Sequence, residues 1–341
     1  MTPVDTNSQA AHHTPRALVL AAFAAIYIIW GSTYLAIKYA VATVPPFFMT
    51  GARFLVAGAV LYAWSVLRAR RDGRDGEAPQ PAAVTRRRWR DAFIVGALLI
   101  VGGTALVGWA ELSVPSGITS LILATTPLWM VLMESAIESK QAPSPRVIGG
   151  VVVGIVGLGV LVGPSLVSPD GELELLGVGS LALAALTWSA GAMFSRRAAL
   201  APSPARATGM QMIAGAVLSI LVGFAMGEHR ALSFAGISLP SIIAVGYLVV
   251  AGALVGFTAY LWLMRVSTPS RVATHAYVNP VVAVLLGWAI LGESVTGRTA
   301  AAMAIIVVAV VLIVSAPSAT RSAGRRRVLS FRHGELAERR S

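Results

Sequence analysis

Long apolar runs alternate with short polar connections along almost the whole chain. Stretches free of Asp, Glu, Lys and Arg cover Ala17–Ile37, Ala92–Ala110, Leu112–Met133, Val147–Pro169, Leu175–Ser195, Ala207–Gly227, Ala231–Met264, Val272–Gly292 and Thr299–Thr320. A tenth, Tyr39–Leu67, is interrupted only by Arg53. Each approaches the ~20 residues that an α-helix needs to cross a bilayer. The pattern predicts an all-α integral membrane protein with ten transmembrane helices. Ala231–Met264 is longer because a loop, Ser233–Pro240, precedes its helix. The first run is too long for a signal-peptide core and has no small-residue cleavage site, so it reads as a retained helix.

Composition supports this reading. The 341 residues are 56% hydrophobic and only 12% charged. A soluble domain carries about 25% charged residues, so a water-facing surface of this size cannot be covered. The absence of cysteine removes a disulfide scaffold.

The net charge of +12 first suggests nucleic acid, but the positions of the charges decide otherwise. With the N-terminus in the cytoplasm, 23 of the 27 basic residues fall on the inner side. Only Lys38, Arg230 and Arg298 lie outside, and Arg53 is within a span. The connection after the fifth span carries Asp170, Glu172 and Glu174 without a base. This is the positive-inside pattern. It places both termini in the cytoplasm of a bacterial-type cytoplasmic membrane. The partners expected are the lipid bilayer and a small-molecule solute, with no nucleic acid.

The two halves of the chain resemble each other. An offset of 158 pairs Trp30 with Trp188, Pro46 with Pro204, Thr50 with Thr208 and Gly51 with Gly209. After a one-residue slip, Ala57-Gly58-Ala59-Val60-Leu61 matches Ala214-Gly215-Ala216-Val217-Leu218. An offset of 153 pairs Trp109 with Trp262 and Pro127 with Pro280. The organisation expected is a tail over 1–16, a first repeat over 17–163, a second over 175–316 and a basic tail over 317–341. Five spans per repeat is an odd number, so the second copy enters the membrane from the opposite side. Inverted repeats of this kind are a recurring design of secondary transporters.

Trp30-Gly31-Ser32-Thr33-Tyr34, Arg53-Phe54, Val114-Pro115-Ser116-Gly117 and Thr126-Pro127-Leu128-Trp129 resemble the first repeat of the EamA family. Pro269-Ser270-Arg271-Val272-Ala273, Asn279-Pro280 and Leu291-Gly292-Glu293 are similar to that family's ending. The family belongs to the drug/metabolite transporter superfamily, and the first-half motifs look most like its YedA-type exporter branch. The chain departs from the pattern opposite Glu293, where the first repeat has Lys140, with Glu138 two residues earlier. The resemblance implies export of small metabolites, amino acids or drug-like compounds by alternating access, at a site between the repeats. An uncoupled facilitator or a non-transporting membrane scaffold are the alternatives.

Enzymatic signatures are missing. Both lysines, Lys38 and Lys140, lack the preceding glycine of a P-loop, there is no H-E-x-x-H, and five histidines without cysteine make a poor zinc site. The reading is a non-enzyme without cofactor or metal.

Ionisable residues inside a bilayer cost roughly 3 kcal/mol and are usually functional. Arg53, Glu111 and His275 are the gating or coupling candidates, with Arg53 and Glu111 expected to pair near the outer mouth. Glu134, near the inner end of the fourth span, reads as a snorkelling residue. With no carboxylate at mid-depth, a solute site must use aromatic and neutral polar groups. Trp30, Thr33, Tyr34 and Lys38 share one face of the first span. Trp109, Trp188, Trp262, Tyr277 and Asn279 complete the candidate lining. Pro127 and Pro280 are expected mid-helix, as matched hinges that each free a carbonyl four residues earlier. Gly150, Gly154, Gly159, Gly163, Ala300 and Ala304 form small-residue faces that suit close helix packing, or a homodimer seam.

Overall fold

The structure is a computed structural model, and it describes residues 16–74, 85–133, 144–167, 175–201, 203–267, 272 and 275–315. Glu134, Glu138, Lys140, the acidic connection over 170–174, Arg271 and both tails lie outside these residues, as does the side chain of Tyr277.

The described residues are helical, without strands. The order is α1 (Arg16–Val41), α2 (Pro46–Arg74), α3 (Arg86–Ala110), α4 (Ser116–Leu123), α5 (Thr126–Met133), α6 (Pro145–Val167), α7 (Leu175–Arg197), α8 (Pro204–Ala225), α9 (Leu239–Val266), α10 (His275–Leu291) and α11 (Gly297–Val314). Six of them contain segments long and apolar enough to cross a membrane, and α6, α10 and α11 hold shorter apolar segments. Leu18, Leu20, Ile28, Val152, Ile155, Leu285, Trp288 and Val311 stand exposed on the outer faces. Such surface suits lipid rather than water.

Local chemistry sets the helix ends. Pro46, Pro145 and Pro204 open α2, α6 and α8, where a missing N–H costs nothing. Gly227 (φ 79°) follows the C-cap of α8 and Gly292 (φ 68°) terminates α10, both in the left-handed region that glycine enters without Cβ strain.

The fourth expected span is broken. It consists of α4 and α5, separated by a turn at Ala124-Thr125. Pro127 is therefore the second residue of a new helix instead of a mid-helix kink, whereas Pro280 does lie inside α10. The Leu123 carbonyl, which Pro127 cannot bond, accepts from Thr126 Oγ1 at 2.6 Å. Thr125 Oγ1 likewise donates to Ile122 O at 2.6 Å.

Close packing follows the glycines. On α2 and α8, a Cβ at Gly58 would meet Met212 Cβ at 2.8 Å, and one at Gly209 would meet the Tyr62 nitrogen at 2.8 Å. On α6, Gly154 and Gly157 face Ala309, Ile305 and Ile306 of α11. Ala300 and Ala304 are exposed, and a Cβ at Gly159 would meet nothing within 4 Å. The α6–α11 seam thus uses a different face of α11 from the expected Ala300/Ala304 pair.

Two helices change pitch partway. Residues Ala97–Ala105 of α3 and Leu248–Gly256 of α9 are π-helical. At the end of the first segment, the Leu106 N–H reaches Val101 O, five residues back. π-turns are rare and concentrate at functional positions.

Candidate functional site

An aromatic cluster lies where α1, α7, α9 and α10 approach one another. Trp30 has ring centroids 5.1 Å from Tyr260, 5.2 Å from His275 and 5.6 Å from Phe257. Phe257 also contacts Trp188 at 6.5 Å and Phe54 at 6.0 Å, so it links both repeat-paired tryptophans. Edge-to-face and tilted pairs at these separations are the favoured aromatic geometries.

The π segments seat those tryptophans. A Cβ at Gly256 would fall 2.4 Å from Trp30 Nε1, and one at Gly103 would fall 2.8 Å from Trp188 Cε3. Trp30 Nε1 donates to Gly252 O at 3.4 Å. Gly102 similarly leaves room for Thr187. Each tryptophan is therefore accommodated by glycines of a π segment from the other half of the chain.

The remaining polar candidates here are already engaged. Thr33 Oγ1 donates to Trp30 O at 2.6 Å. Asn279 is buried; with its amide turned to suit its surroundings, the nitrogen donates to Tyr27 O at 3.3 Å and His275 O at 3.1 Å. His275 donates from Nδ1 to Val272 O at 2.8 Å, which fixes its tautomer. Trp262 packs with Ile26, Leu263 and Val272 against the first half of α1, in a cluster that also holds Tyr27 and Tyr260. The structure thus joins Trp30, Trp188 and His275, holds Thr33 and Asn279 beside them, and sets Trp262 in the adjoining packed cluster that also contains Tyr260.

A second grouping occupies the end where α1, α3 and α10 terminate. Glu111, just past α3, is fully buried, and neither carboxylate oxygen has a hydrogen-bond partner. Its charged neighbours are Lys38, Glu293 and Arg53. The expected Arg53–Glu111 ion pair is not formed. Arg53 is 5% exposed, stacks its guanidinium 4.4 Å from the Phe54 ring centre, and leaves Nε and Nη1 without partners. Lys38 Nζ donates to the main-chain oxygens of Glu111 and Val114. Tyr34, also on α1, has Glu111 as its charged neighbour. Trp109 is half-buried two residues before Glu111.

Acidic side chains at this end cap helices of the opposite half. Glu293 accepts from the Ser116 N–H at 2.8 Å, the Gly117 N–H at 3.1 Å and the Ser116 hydroxyl at 3.0 Å. Glu228 accepts from the Phe47 and Phe48 N–H groups at 3.1 Å. Burial pushes the Glu228 carboxyl above the usual carboxylate range, against the two amides that favour its ionised form. Thr43 donates to Ser241 Oγ at 2.7 Å and accepts from the Ser238 N–H at 3.1 Å. At the opposite end, Asp91 pairs with Arg90 at 2.8 Å and accepts from the Ala199 N–H at 2.8 Å.

Sequence reasoning missed Phe257, Tyr260, Glu228 and Asp91. For the aromatic pair a signal existed, because Phe257 and Tyr260 share a helix face directly after a glycine-rich run. For the acids none did, since the main-chain amides they accept from are more than 100 residues away.

The model of the EamA-like transporter family matches residues 16–163 and again 175–315. The chain is 35% identical over 292 residues to the inner membrane transporter YedA of Escherichia coli K12, covering 85% of this chain and 88% of that protein. A probable amino-acid metabolite efflux pump of Salmonella typhimurium is 22% identical over 82% of this chain and 89% of its own length. A chloroplastic WAT1-related protein of Arabidopsis thaliana is 24% identical, over 84% and 67% respectively. A crystal structure with 23% identity superposes with a TM-score of 0.60, covering 87% of this chain and 97% of its own, which shows a shared fold. With both halves matched and an aligned relative above one-third identity, the chain belongs to the EamA-like transporter family and is a membrane transporter.

Proposed function

We propose that this protein is a secondary transporter that moves small metabolites, amino acids or drug-like compounds out of the cell by alternating access. It has ten spans arranged as two inverted five-span repeats in the bacterial inner membrane, with both termini cytoplasmic. The observation carrying this reading is the correspondence of the two π segments. Ala97–Ala105 and Leu248–Gly256 begin 151 residues apart, close to the offset relating Trp109 to Trp262. Each receives the tryptophan of the opposite half.

A second correspondence supports it. Gly31, after Trp30, packs against Asn279 O and Val282, while Ser189, after Trp188, donates to Thr126 O at 3.3 Å. The offset of 153 relates Thr126 to Asn279. One contact is a close approach of a glycine and the other a hydrogen bond, but both meet the carbonyl of repeat-related residues with the halves exchanged, as expected when two repeats trade roles around a central site. The solute then contacts Trp30, Trp188 and their aromatic neighbours, with Tyr34 and Asn279 lining the approach. Pro280 and the α4–α5 break are the places where α10 and the α4–α5 pair flex.

Counterflow into proteoliposomes containing the full chain tests this reading. Amino acids, nucleosides and cationic drugs are supplied as labelled solutes against an internal excess of the same compound. Saturable, trans-stimulated uptake of at least one, reduced at least tenfold by Trp30→Ala, is expected. Flux that rises linearly with concentration and ignores internal solute overturns the carrier mechanism.

A further inference from the structure

We propose that Glu111 is a proton-binding site of this transporter, and that Lys38 is the counter-ion its carboxylate takes up when the proton leaves. This rests on the transporter reading and extends it to coupling. The argument begins with burial: Glu111 is 0% exposed, and both oxygens lack a hydrogen-bond partner. A buried carboxylate that accepts no hydrogen bond, with Lys38 and Arg53 near but neither bonded to it, is disfavoured against the neutral acid. The conformation described here therefore holds Glu111 with its proton on.

The surrounding groups supply the other state. On α1, Lys38 and Tyr34 face Glu111; on α2, Arg53 does; after α10, Glu293 does. From α7, Gly177 reaches Ser113 and Val114 nearby, and α7 carries no titratable residue before Arg196. Glu293 is occupied by the Ser116 and Gly117 amides and the Ser116 hydroxyl, and its negative charge further disfavours a second carboxylate beside it. Arg53 rests on the Phe54 ring. Lys38 is the mobile partner. Its ammonium already bonds the main-chain oxygen of Glu111 itself, so a change of side-chain torsions carries it to the carboxylate without moving α1.

The exchange balances in one step. The Glu111 O–H gives its proton to water entering from the outer end, the carboxylate keeps the electron pair, and Lys38 Nζ moves from the carbonyl oxygen onto it. Reprotonation sends Lys38 back. One proton is exchanged per cycle, from a site next to the Glu293–Ser116 contact that joins the two halves.

The test needs no transported solute. Infrared difference spectra are recorded on the full chain in lipid vesicles while the pH is stepped from acid to alkaline. Wild type minus Glu111→Gln at neutral pH should show the C=O band of one protonated carboxyl per chain, and Glu293→Gln should leave that band in place. In Lys38→Met the band should persist to higher pH, because the positive charge that favours ionisation is gone. Absence of the band from the wild type, or its survival at full amplitude in Glu111→Gln, overturns the proposal. If Glu111→Gln fails to fold, Lys38→Met decides alone, and an unchanged pH dependence there counts against the site. Failure of every solute in counterflow would count against the proposed export of those solutes while leaving this measurement intact.

Discussion

The Glu293 carboxylate and the Ser116 N–H, 177 residues apart in sequence, meet at 2.8 Å. The contact joins the connection after α10 to the first turn of α4, where free amides and the helix dipole favour an anion. It also joins the two motifs that mark the family's two halves.

Removing this cap should loosen the end it closes. Glu293→Ala is expected to cost about 1 kcal/mol, as for other N-cap losses. A cysteine at buried Thr119, introduced into this naturally cysteine-free chain, should then react faster with a maleimide. Equal labelling with and without the Glu293 substitution would show that the contact does not hold that end shut.

The glycines of the π segments should tolerate no side chain. Gly256→Ala and Gly103→Ala each place a Cβ inside contact distance of a tryptophan, at 2.4 and 2.8 Å. Overpacking of this kind costs about 1–3 kcal/mol. Gly179→Ala on α7 meets nothing within 4 Å and should be neutral or stabilising by up to about 1 kcal/mol. Melting of the purified variants in detergent gives the comparison, and equal Tm values for all three would contradict it.

Glu228 should give stability a pH dependence. Its carboxyl is held above the usual range by burial, so the folded state binds the proton more tightly than the unfolded chain does. The stabilisation is complete below the unfolded value and is lost as the pH rises through the folded one. Tm measured from mildly acid to alkaline pH should fall across that window, and Glu228→Gln should flatten the decline. A wild-type Tm that rises through the same window would reverse the sign.

Topology can be read with two single cysteines. Replacing Arg74 and Ser168 one at a time should give sites labelled from opposite faces of right-side-out vesicles, with Ser168 outside. Labelling of both from one face would overturn the five-span repeat.

Much of this architecture was legible in the sequence because bilayer thickness converts directly into run length. The apolar stretches coincide with helices for that reason. The break at Ala124-Thr125 was not legible, since a turn inside an apolar run leaves the hydropathy unchanged. Pro127 and Pro280 match in sequence yet differ in setting, because Thr126 supplies the missing bond locally while α10 continues through its proline. Trp30 and Trp188 were found through the repeat, whereas Phe257 between them has no repeat partner to announce it. The Arg53–Glu111 pair failed for a different reason. Opposite charges at similar depth need not touch: the Arg53 guanidinium stacks on Phe54, and Lys38 bonds the main-chain oxygen of Glu111 while its carboxylate stays without a hydrogen-bond partner.

The π segments hold a reserve of helical phase. A π-turn accommodates an extra residue relative to an α-turn, and relaxing one to α pitch advances everything beyond it by one residue, about 100° around the axis and ~1.5 Å along it. For α9 that step would swing Phe257 and Tyr260 away from Trp30 while Leu239–Tyr247 stayed in place. For α3 it would carry Trp109 and Glu111 around while Arg86–Gly96 stayed in place. A step of this kind would re-aim the far half of each helix with its near half anchored. One re-aimed half carries Phe257 and Tyr260 of the aromatic cluster, and the other leads to the buried Glu111.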